Sequence, residues 1–245
     1  MSCKCSTNVV DCQPWPKVGR LSNRVRPRLS GFPNKPPIAR AESQVFAYVL
    51  STLDVDQTDQ DTRIFCQRGC APNFQGGYIT LCTCMHYHRT WSSLAKKGVW
   101  VAGFCGHCCE GGNQLFYLMR VEKVIPNFAD LWNSRKLPKA ALRAKSSRFN
   151  IFGDVYEPKR RAALDPFAPK NYWKPIKNHK HLPDSWRKDI CFGDKADPQP
   201  GLLVGHPDLS FVWKSPRYAY RGAKHPRFKF HDSLEAFYAC LEEIK

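Results

Sequence analysis

The sequence predicts an α+β class fold, a single domain around one small, curved, mixed or antiparallel sheet, or a partly open barrel of the same strands. Three observations lead there. Short runs rich in β-branched and aromatic residues recur at Val45–Leu50, Tyr78–Thr83, Val99–Phe104 and Leu115–Glu122, and again at Leu202–Gly205 and Leu209–Trp213. Helical periodicity is confined to brief stretches, so the strand-helix-strand rhythm of a parallel sheet never develops. The 245 residues are 42% hydrophobic and 13% aromatic, which is enough apolar surface for one core.

Taken in order, residues 1–44 are rich in Pro, Arg and Ser without periodicity, which predicts an irregular basic arm that orders against a partner. The body is expected over residues 45–232, beginning with the strand Val45–Leu50. Asp54, Asp56, Asp59 and Asp61 are expected in a solvated loop, because the glycine and closing glutamate of an EF-hand are missing. Ala71-Pro72-Asn73-Phe74-Gln75-Gly76-Gly77 reads as a shaped turn feeding the strand Tyr78–Thr83, since proline fixes φ and glycine permits positive φ. A helical step at Trp91–Leu94 precedes the strand bounded by Gly98 and Gly106, and the strand Leu115–Glu122 follows.

Phe128–Trp132 and Pro138–Ala144 predict two short helices, the second basic with Leu137, Ala141 and Leu142 toward the core. Phe149–Tyr156 is a strand or loop. From Glu157 to Lys188, cations alternate with Phe167, Tyr172, Trp173 and Trp186, a pattern that suits stacking on bases or pinning an insertion to the body. Over residues 233–245, Asp232 as N-cap and Leu234, Phe237, Leu241 and Ile244 on one face predict a C-terminal helix.

The net charge of +17 is unevenly distributed. Residues 1–40 carry eight Lys or Arg against one acid, residues 135–188 carry fifteen against four, and the remainder is near neutral. Two such positive segments predict a polyanionic partner, nucleic acid above all. The expected phosphate contacts are Arg24, Arg26, Arg28, Arg143, Lys145, Arg148, Lys159, Arg160 and Arg161. No apolar run approaches the ~20 residues of a membrane helix, and no secretory-type apolar start is present. The expectation is an intracellular protein with no membrane partner, cytoplasmic or in the nucleoid or nucleus. The arginine-bearing start also fits a mitochondrial transit segment, although Cys3, Cys5 and Cys12 are unusual there.

Twelve cysteines without a secretory signal are expected as thiols, buried or metal-bound. Cys66, Cys70, Cys105 and Cys108 are the zinc candidates, but their spacing is not a pair of C-x2-C knuckles, so no metal and no cofactor is expected. The deaminase, Walker and dinucleotide motifs are absent. Asp154, Cys191 and His206 are the candidates for catalysis. A base-binding pocket is expected from Asn73, Thr80, Trp100 and Asn150, because an amide can pair with a base edge and an indole can stack on its face. Against this, Asn73 can instead hold its own turn and Trp100 can be core.

The order A-P-N-x-x-G-G-Y-x-T-L at 71–81, G-x-W-V-x-G at 98–103 and L-x-Y-L-M-R-V at 115–121 resembles the nucleotide modification associated domain 2 family. Asn150-Ile151-Phe152 stands where that family has an N-I-Y element, and Leu203–His206 with Phe211–Trp213 is similar to its late strand pair. The resemblance spans about residues 45–216. It departs from the family at Phe149, where an acid is expected, and in the long arm. It implies a place beside enzymes that alter bases in DNA, and a PUA-like barrel as one form of the fold. The function expected is a nucleic-acid-binding accessory domain that recognises a modified or flipped base, with DNA and base-modifying enzymes as partners. The alternative is an enzyme that installs, removes or processes a nucleobase modification.

Overall fold

The computed structural model describes residue 12 and residues 44–57, 63–82, 98–106, 112–134, 136–159, 165–181, 185–191, 202–222, 226 and 229–244. In chain order the elements are β1 (Val45–Leu50), β2 (Leu53–Gln57), β3 (Arg63–Gln67), β4 (Thr80–Leu81), β5 (Trp100–Cys105), β6 (Leu115–Ile125), α1 (Phe128–Asn133), α2 (Lys139–Lys145), α3 (Ser185–Cys191), β7 (Leu202–Val212), β8 (Tyr218–Tyr220), β9 (Lys229–His231), α4 (Leu234–Tyr238) and β10 (Leu241–Glu243). The fold is therefore mixed α+β, mostly sheet. The predicted helical step at Trp91–Leu94 lies outside the described residues.

The main sheet runs β4-β7-β6-β5-β1-β9. β1 and β5 pair in parallel from Val45 opposite Trp100 to Leu50 opposite Cys105, and every other pairing in the sheet is antiparallel. Both of these strands are near-continuous apolar sequence, as burial on two faces requires. The described strands form an open six-stranded sheet flanked by two separate hairpin-like pairs, β2 with β3 and β8 with β10, and no closed barrel.

Two cores follow from this arrangement. The first packs Phe46, Phe104, Phe116 and Tyr117 of the central strands against Leu234 and Phe237 of α4. The second lies at the β7 side, where Ile125, Phe128, Leu131, Leu142, Val155, Tyr156 and Tyr172 meet Leu202 and Val204. It fixes α1, α2 and the chain after them over the β4 edge. α1 is capped by Asn127, whose Oδ1 accepts from the Asp130 amide at 2.8 Å while its Nδ2 donates to the Asp130 carboxylate at 3.0 Å.

Several expectations are corrected. Asp54 and Asp56 stand on β2, not in a loop, because Arg68 holds both: Nε lies 2.7 Å from Asp54 and an Nη 3.1 Å from Asp56. The two late strands are one, β7, kept continuous past His206 by irregular register against β6. The C-terminal helix ends at Tyr238, with Ser233 rather than Asp232 as its cap, its Oγ accepting from the Ala236 amide at 3.1 Å. Leu241–Glu243 leave the helical track to pair with one edge of β8, Leu241 opposite Tyr220, while Ala219 bridges Gln114 on the other side. Cys66 is bonded to Cys12 in a disulfide with Cα atoms 5.2 Å apart, so it is not the expected thiol. No described helix is long and apolar enough to cross a membrane.

Candidate functional site

Asn73 begins the site by folding its own turn. Its Oδ1 accepts from the Gln75 amide at 2.9 Å, and its backbone exchanges two hydrogen bonds with Thr80, of 3.0 and 2.9 Å. Gly76 and Gly77 carry φ of 67° and 80°, the left-handed values that close the turn. Gly76 also lies so near α2 that a Cβ would sit 2.7 Å from the Ala141 Cα. The turn is thereby pressed onto the helix.

Lys145, the last residue of α2, reaches back into that turn. Its Nζ donates to the Asn73 carbonyl at 2.7 Å, to Asn73 Oδ1 at 3.0 Å and to Thr80 Oγ1 at 3.0 Å. Three acceptors meet the three protons of one ammonium. Thr80 Oγ1 in turn donates to Asp154 Oδ2 at 2.6 Å, so the hydroxyl bridges the two charged groups. Asp154 arrives through a loop that doubles back on the end of α2: Val155 N donates to Lys145 O and Ser147 N to Val155 O. Asn150 caps that loop, donating from Nδ2 to Ala144 O at 2.8 Å and accepting from Phe152 N at 2.9 Å. Asn73 Nδ2 closes the circuit by donating to Phe152 O at 2.7 Å.

Lys145, Thr80, Asn73 and Asp154 are all fully buried. Burial disfavours charge and pushes the Asp154 carboxyl up to about 7, against the opposing pull of Lys145 and of the Thr80 hydrogen bond. Burial likewise pulls Lys145 down to about 8, with Asp154 and then Cys82 opposing. Burial thus moves the two groups toward each other's proton affinity, and the Thr80 hydroxyl between them can relay a proton. Asp154 Oδ1 is buried with no hydrogen-bond partner.

A second network borders the first. The Tyr156 hydroxyl donates to Asp189 Oδ2 at 2.7 Å, and His181 Nε2 lies 3.2 Å from the same oxygen while its Nδ1 contacts Ser185 Oγ. His179 stacks on His181 with ring centres 5.8 Å apart. Burial first, and the neighbouring His181, hold the His179 pKa below its ordinary value, so the ring is neutral near pH 7 and its Nε2–H donates to Gly153 O at 2.8 Å. Cys70 Sγ lies 3.5 Å from that nitrogen and donates to Lys180 O at 3.2 Å.

The opposite side of the same stretch faces water. Arg143 and Arg148 stand over the Phe149 ring at 5.3 and 5.1 Å, and Arg148 also stands over Trp173 at 4.3 Å. Phe149 is 49% exposed, Trp173 40% and Ile176 39%.

Nearly all of these groups fall in one segment. The family model described as nucleotide modification associated domain 2 matches residues 63–190, just over half of the chain. The chain belongs to the nucleotide modification associated domain 2 family. Membership ties it to nucleotide modification systems. No curated protein and no solved structure matches it.

Within this family segment, the structure redistributes the residues singled out from sequence. Asn73 and Thr80 do come together, but with Lys145 and Asp154, and Asn73 engages its amide inside the protein. Asn150 joins them through Phe152 as a loop cap. Trp100 is buried in β5 within the first core, apart from that network. Lys145, expected on phosphate, is instead the buried centre of the site. Arg143 and Lys159 are exposed, Arg148 is half-buried and paired with Glu157 at 3.3 Å, and Arg24, Arg26, Arg28, Arg160 and Arg161 lie outside the described residues.

Asp154 sits in the site; Cys191 is exposed at the end of α3, and His206 lies on β7, its Nδ1 accepting from Asp208 N at 3.2 Å. Of the metal candidates, Cys66 is disulfide-bonded, Cys105 is buried within the sheet and accepts from Gln114 N at 3.3 Å, Cys70 is engaged as above, and Cys108 lies outside the described residues. Among the described residues one cluster has metal-ligand proximity, Cys12, Asp56 and Cys66, and two of its three donors are bonded to each other.

The sequence reading missed His181 and Asp189, and it named Lys145 for phosphate rather than for the buried network. Spacing would have found Lys145: it follows Leu137, Ala141 and Leu142 at the interval that returns to the buried face of a helix. No comparable signal marks His181 or Asp189, which are joined by packing across a loop and a helix.

Proposed function

We propose that this chain is a nucleic-acid-binding accessory domain of a nucleotide modification system that recognises a modified or flipped base, with DNA as the ligand. The observation that carries this reading is the outward charge of residues 135–188. Of the twelve described lysines and arginines there, nine are exposed and one, Lys145, is buried. Among the described acids of that stretch Asp154 is buried, Glu157 is bound to Arg148, and Asp165 alone is exposed against the nine cations. A surface so biased attracts phosphate whatever the sequence of the strand.

The test is binding of labelled DNA over a range of salt, with matched modified and unmodified strands. Log affinity should fall linearly with log salt, at about 0.9 per phosphate neutralised on a duplex, and modified strands should bind more tightly. Salt-independent or absent binding would sink the reading.

One observation favours the enzymatic alternative: the buried Asp154 oxygen without a partner, linked through the Thr80 hydroxyl to the buried Lys145 ammonium. Asp154→Asn abolishing turnover of a modified nucleoside while DNA binding persists would establish it. Binding and turnover both surviving that substitution would remove it.

A further inference from the structure

We propose that Phe149 and Trp173, linked by the Arg148 guanidinium, form a stacking platform for unpaired bases of a single-stranded nucleic acid; this rests on the nucleic-acid-binding reading above. Large aromatic side chains exposed by nearly half are unusual beside a core that buries Phe46, Phe104, Phe116 and Phe128 almost completely. The two rings and Ile176 are three of the four large hydrophobic side chains left exposed among the described residues. They are also neighbours in space. Trp173 N donates to Glu157 O at 2.9 Å and Ile176 N to Ser147 O at 2.8 Å, which lays the 173–176 segment along the loop that carries Phe149.

The chemistry of the patch selects its occupant. Arg143, Phe149, Arg148 and Trp173 alternate cation and ring, with guanidinium carbons 4.3 to 5.3 Å from ring centres. Lys174 and Lys177 are exposed on the same segment as Trp173. An apolar protein partner would desolvate these cations, of which, among the described residues, only Arg148 pairs with a carboxylate, whereas a strand brings phosphates for the cations and a π face for each ring. Duplex DNA offers the phosphates but keeps its base faces stacked within the helix, so the rings discriminate for single strands or extruded bases.

The neighbouring aromatics show why these two are set apart. Tyr172 and Trp186 flank the same segment but turn inward, Tyr172 against Phe128 with ring centres 6.5 Å apart and Trp186 against Tyr156 at 6.0 Å. They pin the insertion to the second core, leaving Trp173 on the outer side of an extended backbone where side chains alternate.

The experiment compares a short labelled single-stranded oligodeoxynucleotide with the same sequence as a duplex, by fluorescence anisotropy at several salt concentrations. Phe149→Ala and Trp173→Ala should each weaken single-strand binding about fivefold or more, leave duplex affinity and the salt slope unchanged, and leave the melting temperature near that of the native chain. Phe149→Tyr and Trp173→Phe, which keep a ring, should retain single-strand affinity.

Unchanged single-strand affinity in the Phe149→Ala/Trp173→Ala double variant would overturn the platform while leaving salt-dependent binding, and the broader reading, intact. Equal losses on single strand and duplex would overturn it as well, by showing a contact blind to exposed bases. If the native chain binds neither probe, the platform and the nucleic-acid reading fall together.

Discussion

Lys145 and Arg148 stand three residues apart, and the fold uses their charges in opposite ways. Lys145 closes α2 on its buried side, where three acceptors surround the ammonium and Asp154 waits one hydroxyl away. Arg148 follows on the outer side of the loop, spread over two exposed rings. The inner assembly is a weld: it ties the 71–80 turn, the end of α2 and the 150–155 loop into one unit. The outer one is a surface partly exposed to water. Which role a cation takes is decided here by where its Cα falls on the helical or loop track, and the neighbouring groups then tune it.

Removing the ammonium should have the largest effect. Lys145→Met leaves three acceptors and a buried carboxylate without their partner and should destabilise the fold by about 3–5 kcal/mol, read as the shift in denaturant midpoint. Combining it with Asp154→Asn should cost less than the two single changes added together, because each single variant strands the other's charge. Additivity would show that the weld is not a coupled unit.

Gly76→Ala should come next, at about 2–4 kcal/mol, since it forces a left-handed φ on alanine and drives a methyl into the backbone of α2. Asn73→Ala should cost about 1–3 kcal/mol by leaving Phe152 O and a lysine proton unpaired, and should weaken all ligands alike. A selective loss of discrimination between modified and plain strands, at unchanged melting temperature, would instead make Asn73 a reader of bases.

The weld should also leave a signature in pH. Asp154 holds its proton more tightly folded than unfolded, so the stability it contributes is full below its ordinary carboxyl range near 4 and is lost as pH rises to about 7. Lys145 is shifted the other way. Its contribution is present above its ordinary range near 10.5 and is lost as pH falls to about 8. Together they should produce a trough in stability near pH 7–8. Asp154→Asn should flatten the acid side of that trough and leave the alkaline side, as measured by denaturant midpoints across pH.

On the outer surface the expected changes in stability are the smallest. Arg143→Ala and Lys177→Ala should shift stability by no more than about 0.5 kcal/mol, yet each should lower the salt slope of DNA binding by about 0.9 if it meets a phosphate. A marked loss of stability at either position would erase the contrast between weld and surface.

Much of this was legible in the sequence. The apolar runs at 45–50, 99–104 and 115–122 specify buried strands because their composition suits nothing else, and Leu137, Ala141 and Leu142 specify the inner face of α2 through helical spacing. Pro72, Gly76 and Gly77 announce a tight turn, and the bias of residues 135–188 announces a positive surface. Local chemistry is sufficient for each of these, since propensity, periodicity and charge are properties of neighbouring residues.

Tertiary structure decided the rest. Leu241–Glu243 carry a helical pattern, but one edge of β8 offers hydrogen bonds that outweigh it. Asp54 and Asp56 look solvated until Arg68 folds across them. Asn73, Thr80, Lys145 and Asp154 are spread over 82 positions of the chain and share no local pattern. Only the docking of α2 onto the 71–80 turn shows that one of the twelve described cations of its segment, Lys145, is buried while nine are exposed. The same docking leaves Phe149 and Trp173 outside, because hydrophobicity says how much an aromatic gains from burial, and only the packing of its neighbours says whether there is room.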